Sequence, residues 1–203
     1  SQSRFFENVI GRSKAFWQVH YAKLQEFFPA QLAAVSLDEF VSYINRAERS
    51  FVRTEADELT YPLHIMLRYE IEQKLIDGSL QVKDLPEYWR TKFAEYFGIT
   101  PPTDTLGVLQ DVHWAYGNFG YFPTYALGSA IASQLFAAMN RDFDVYQSLS
   151  CGTTAKVNEW LREHVHKYGS SKYPDEILQI ATGEDFNPDY YIDYLVGKYA
   201  GNK

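Results

Sequence analysis

Chemistry-bearing residues crowd into one stretch of this chain, Gly107–Gly128, which reads GVLQDVHWAYGNFGYFPTYALG. Gln110, Asp111 and His113 stand on its leading side, and Trp114, Tyr116, Phe119, Tyr121, Phe122 and Tyr125 follow among glycines. Glycine weakens a helix interior by up to about 1 kcal/mol relative to alanine, and its use is to let backbone turn or come close to something. Aromatic rings among glycines suggest a shaped wall with hydroxyl and imidazole tips available to a bound molecule. A buried connection between helices is the plain alternative. Arg53, in VRTEAD, is the other candidate. Taken singly, Arg53 reads as a surface charge, His113 as a core histidine, and Tyr121 and Tyr125 as packing.

Other chemistries find little support. The five histidines are His20, His64, His113, His164 and His166, and none forms HExxH, the pair that sets two imidazoles on one helix face over a general base. His164 and His166, two apart, fall on different sides of a helix and suit no common ion. Asp142 and Asp144 are equally plain. No serine lies in a GxSxG elbow, Cys151 has no histidine near it in sequence, and no GxxxxGK[ST] phosphate loop is present.

The elements that must position these residues read as helices. Of 203 residues, 46% are hydrophobic and 22% charged, which is globular and not disordered. Apolar runs are too short and interrupted to span a bilayer, and no signal sequence opens the chain, so no membrane association is expected. The single cysteine excludes an internal disulfide and suits a reducing, cytoplasmic setting. A net charge of −7 argues against nucleic acid as partner. The apolar spacing predicts an unbroken helix from Arg4 to Phe28, ended by Pro29. Ser36 and Glu39 form a capping box opening a helix to about Arg46. Phe51, Val52 and Thr54 favour a short extended segment. Behind it, Leu63, Leu67, Ile71 and Leu75 share a helix face, with Gly78 as C-cap. Further helices are expected from Asp84 and Pro86 to Phe97, Pro123 to Met139, Thr154 to Tyr168, Pro174 to Thr182, and Asn187 with Pro188 to Tyr199. The fold class is all-α with at most a very short strand, in one helical unit over residues 1–203.

In combination these segments stop being anonymous. SQSRFFENVIGRS, VRTEAD with DELTYPLH behind it, GVLQDVHW and FGYFPTYALG, in that order, resemble the carboxypeptidase Taq family of zinc metallocarboxypeptidases. The family carries a HES(Q/G) motif continuing into SR, an I(R/A)xxAD motif and a GxxQDxHW motif. Ser1-Gln2 matches the tail of the first, Val52–Asp57 the second with valine for isoleucine, and Gly107–Trp114 the third. The resemblance implies a saddle-shaped helical peptidase with a deep cleft, homodimeric, releasing single residues from peptides with a free C-terminus. It implies zinc in the intact enzyme, held by an upstream HExxH helix and the glutamate of HES(Q/G). Since the chain opens just after that glutamate, it is expected to be the C-terminal half, to hold no zinc alone, to be inactive alone, and to need the N-terminal half as partner. Carried over by residue, Arg53 and Gln110 bind substrate, the arginine gripping the terminal carboxylate bidentately. Asp57 and Asp111 orient a ligand or the arginine from behind. His113 and one of Tyr121 or Tyr125 stabilise the developing oxyanion. The alternative is a non-catalytic helical binding or dimerisation module built on the same scaffold.

Overall fold

The computed structural model describes residues 1–201, and among them it holds helices and turns but no strand. The principal helices are Lys14–Phe27 (α1), Leu37–Ile44 (α2), Tyr61–Ile76 (α3), Leu85–Phe97 (α4), Pro123–Asp142 (α5), Val145–Leu149 (α6), Ala155–His164 (α7), Pro174–Thr182 (α8) and Asp189–Tyr199 (α9). Where the sequence favours a short extended segment, Arg53–Glu55 forms a single 3-10 turn. The Arg53 N–H is taken by the Gln110 side chain, 2.8 Å away, so a side chain does what a neighbouring strand would do. The chain sorts into two compact units, Ser1–Asn45 with Gly128–Lys203, and Arg46–Leu127.

In the first unit, the helix expected to run unbroken from Arg4 to Phe28 is interrupted. A turn at Gln2–Arg4 passes into a π-helical segment, Phe5–Ile10, and α1 restarts after Ser13. Ser13 forces the restart: its Oγ accepts from Phe16 N at 3.2 Å and donates to Ile10 O at 2.7 Å, an N-cap in mid-pattern. The Ser36–Glu39 capping box forms as expected, with both reciprocal bonds present. Asp144, plain in sequence, caps α6 by accepting from Gln147 N at 2.8 Å. The core gathers Phe5, Val9, Leu135, Met139, Leu149 and Leu161, with the small residues of α5 buried against it.

The second unit carries the candidate residues. Helices α3 and α4 pack through Leu67, Ile71, Trp89, Phe93 and Phe97. Helix α4 stops at Gly98, whose φ of +66° is a left-handed C-cap open to glycine at little cost. Helix α3 does not bury an apolar stripe alone. Beside Leu67 and Ile71 it buries His64, Arg68 and Glu72, four residues apart and so on one face. No helix among the described residues is long and apolar enough to cross a membrane.

Candidate functional site

Helix α3 and the 3-10 turn before it set two arginines around one carboxylate. Arg53 donates from Nη2 to Asp111 Oδ1 at 2.6 Å and from Nε to the same carboxylate at 3.1–3.2 Å. Arg68, on α3, meets Asp111 Oδ2 with Nε at 2.7 Å and Nη2 at 2.6 Å. A second Arg53 nitrogen, Nη1, donates to Tyr61 Oη at 3.0 Å. The guanidiniums lie against rings, Arg53 4.8 Å from the centre of Tyr125 and Arg68 4.8 Å from that of Trp89. Arg53 is 6% exposed and Arg68 is fully buried, so this is an interior cluster with only an edge toward solvent.

The electrostatics follow from that sharing. Burial acts to raise the Asp111 carboxyl, but hydrogen bonding from Arg53 and the charges of both arginines hold it below the usual carboxylate range. For Arg53, burial acts to lower the guanidinium, and Asp111 outweighs it and raises it. Arg68, more deeply buried, is brought down to about 10 and stays protonated at neutral pH. His64 stands behind the pair with its ring 4.5 Å from Phe97. Burial first, then the Arg68 and Arg53 charges, press it down to about 3, so it is neutral.

The other motif residues divide between scaffold and surface. Gln110, expected to bind substrate, is spent on backbone. Its Oε1 accepts from Arg53 N, and its Nε2 donates to Phe51 O at 2.9 Å and Gly107 O at 3.0 Å, buckling the two motif segments together. Asp57, expected behind a ligand or the arginine, instead ties its own turn. It accepts from Glu48 N, Leu59 N, Thr60 N and Thr60 Oγ1 at 2.8–2.9 Å. The carboxylate placed behind Arg53 is that of Asp111.

His113, Tyr121 and Tyr125 are brought together. His113 Nε2 and Tyr125 Oη lie 3.0 Å apart. The Tyr121 ring stacks on His113 at 5.8 Å and meets Tyr125 edge-on at 5.4 Å. Tyr121 is half-exposed and Tyr125 half-buried, which separates the two tyrosines by environment. Burial raises the Tyr125 hydroxyl above its ordinary value, only partly offset by Arg53, so it remains a proton donor at neutral pH.

Residues that carry the site without being singled out by the sequence are Tyr61, in the DELTYPLH segment, and Arg68 and Glu72 beyond it, all on α3. Polar residues recurring every fourth position beside the aliphatic Leu67 and Ile71 are a legible signal of a buried polar face.

Comparison with known proteins gives the family. Residues 1–199 match the carboxypeptidase Taq (M32) metallopeptidase family. The chain belongs to that family. It is 51% identical over 201 residues to carboxypeptidase 1 of Bacillus subtilis (strain 168), covering 98% of this chain and 40% of that protein. It is 41% identical to thermostable carboxypeptidase 1 of Thermus thermophilus, covering 98% of this chain and 39% of that protein. The M32 carboxypeptidase of Deinococcus radiodurans R1 superposes with a TM-score of 0.95 at 37% identity, covering 98% of this chain and 41% of the other. The chain thus spans about 40% of the length of the M32 relatives it matches. Gln110 and Asp111 join the VRTEAD and GVLQDVHW segments of this chain. A family of metallopeptidases implies a metal in the intact enzyme, but the donors present here do not fit one. Among the described residues no three His, Cys, Asp or Glu side chains stand together as ligands. His64 faces two arginine charges, and Asp111 is shared between those arginines.

Proposed function

We propose that this chain forms the substrate-facing part of a zinc-dependent metallocarboxypeptidase that releases C-terminal residues from peptides, with the metal ligands supplied from outside these 203 residues. Alone, the chain is inactive on this reading. The observation that carries it is the adjacency, within one unit, of a held guanidinium and a histidine–tyrosine pair: Arg53 lies 4.8 Å from the Tyr125 ring, and Tyr125 bonds His113. A guanidinium has five N–H donors. Asp111 takes those on the Nε and Nη2 edge and Tyr61 takes one on Nη1, which leaves one on each terminal nitrogen. That remaining pair grips the substrate's terminal carboxylate. Asp111 and Arg68 keep the fork from turning.

Tyr125 is the oxyanion donor on this reading. If His113 Nε2–H donates to Tyr125 Oη, the hydroxyl proton is free to point at a carbonyl oxygen as charge develops on it. Its raised pKa keeps that proton in place. Tyr121, stacked on His113, is wall. In the complete enzyme Tyr125→Phe should lower kcat by about 10²–10³ with little change in KM, the size expected for a lost oxyanion donor. Tyr121→Phe should stay within about threefold. If neither substitution moves kcat beyond that, the aromatic stretch is wall and the assignment fails.

A further inference from the structure

The loop that carries His113 and Tyr121 is gripped from beneath by one carboxylate. Glu72, on α3, is 8% exposed. Its Oε2 accepts from the Trp114 indole Nε1–H at 2.7 Å, and its Oε1 accepts from the Gly120 backbone N–H. These two anchors are next in sequence to His113 on one side and Tyr121 on the other. The tip between them is poorly covered: Tyr116 is 77% and Phe119 49% exposed. It turns through Gly117 and Gly120 at φ +75° and +76°, with Asn118 N donating back to His113 O at 2.9 Å. Such turns set local shape and leave open where the loop as a whole stands. Trp114 adds an edge-on contact with Trp89 and another with Phe122, so its indole is a fixed strut once its N–H is satisfied.

A carboxylate suits this position for a chemical reason. Both donors are N–H groups, and an ionised carboxylate only accepts, with an oxygen for each. An amide would have to turn its NH₂ toward one of them. We propose that Glu72 is a positioning residue of this site, a clasp that fixes the separation of His113 from Tyr121 and thereby the direction of the His113–Tyr125 bond. The inference rests on the reading above, in which His113 and Tyr125 meet the substrate. Glu72 itself touches no reacting atom. Its effect passes through the loop, since a misplacement near 1 Å can cost up to about 10² in rate.

The test uses the complete enzyme carrying this sequence. Glu72→Gln should lower kcat about tenfold or more, while KM stays within about threefold, because Arg53 is held by a separate set of bonds. The decisive arm is a double-mutant cycle: in a His113→Ala background, Glu72→Gln should cost less than about twofold further, since the group it positions is gone. Fully additive losses would mean that Glu72 supports the fold and not the site, and would overturn the proposal. So would an unchanged kcat in Glu72→Gln. Should His113→Ala itself leave kcat intact, the functional reading falls, and the clasp's catalytic role with it. If Glu72→Gln does not accumulate as folded protein, Trp114→Phe removes one of the two donors. It should give a several-fold loss with the same non-additivity, and additivity there would refute the clasp equally.

Discussion

His64 makes the site sensitive to acid in a way that can be worked out in advance. It is fully buried, with its ring against Phe93 and Phe97, and is held down to about 3. In the unfolded chain an imidazole titrates near 6.5. Between those values the unfolded chain binds a proton that the folded chain refuses, so stability falls as pH falls, beginning near pH 6.5. At about pH 4.5 the unfolded histidine is two units below its pKa, and at about 1.4 kcal/mol per unit the loss relative to neutral pH is about 2.7 kcal/mol. That figure does not depend on the folded value so long as it lies well below 4.5. The perturbation is His64→Leu, which keeps an apolar group of similar bulk between the phenylalanines. Urea unfolding of wild type and variant, followed by far-ultraviolet circular dichroism near pH 7.5 and near pH 4.5, isolates the contribution, because every carboxylate titration is common to both. The wild type should lose about 2.7 kcal/mol more than His64→Leu across that interval. Parallel losses would show that His64 accepts a proton in the folded chain and that its burial among arginines is misjudged.

Two further substitutions probe the same unit. Asp111→Asn leaves two buried guanidiniums without the charge they share, and should cost about 3–5 kcal/mol in unfolding free energy; a loss under about 1 kcal/mol would mean that the cluster is not the keystone of the motif segments. Gly98→Ala should cost about 1–2 kcal/mol by thermal melting, since a left-handed backbone disfavours a Cβ. The new Cβ would also sit 2.9 Å from Arg49 Nη1, which now bonds Phe97 O, and an unshifted melting temperature would refute that.

Much of the helical framework is legible in the sequence because its signals are local. The Ser36–Glu39 box, Pro86 with Gly98, and Pro174 with Gly183 act within a turn or two of themselves, and each marks a helix end within a residue or two. The break at Ser13 escapes because the apolar spacing carries on through it, while one hydroxyl decides between continuing and capping. At the site, motif spacing does not give the partners each side chain takes. Gln110 and Asp57 look like substrate or ligand groups, yet their bonds are to backbone and to a turn, partners that only the folded chain defines. Arg68 and Glu72 lie 43 and 42 residues from the loop groups they hold, so no spacing rule links them. What sequence does show is their fourfold recurrence on a face of α3, a pattern that signals buried polar partners without naming them.

The central claim is that Arg53 holds the terminal carboxylate of a peptide, and substrates that differ only at that group test it most directly. The complete enzyme and its Arg53→Ala variant would be assayed on matched peptides ending in a free carboxylate or an amide. Removing the guanidinium also leaves Asp111 and Tyr61 with lost partners, a cost common to both substrates, so the difference between them isolates the grip. A lost charge-assisted pair is worth roughly 1.5–3 kcal/mol, so kcat/KM on the free acid should fall about ten- to a hundredfold more than on the amide. Equal losses on the two peptides would contradict the account and leave Arg53 as a buried brace for Asp111.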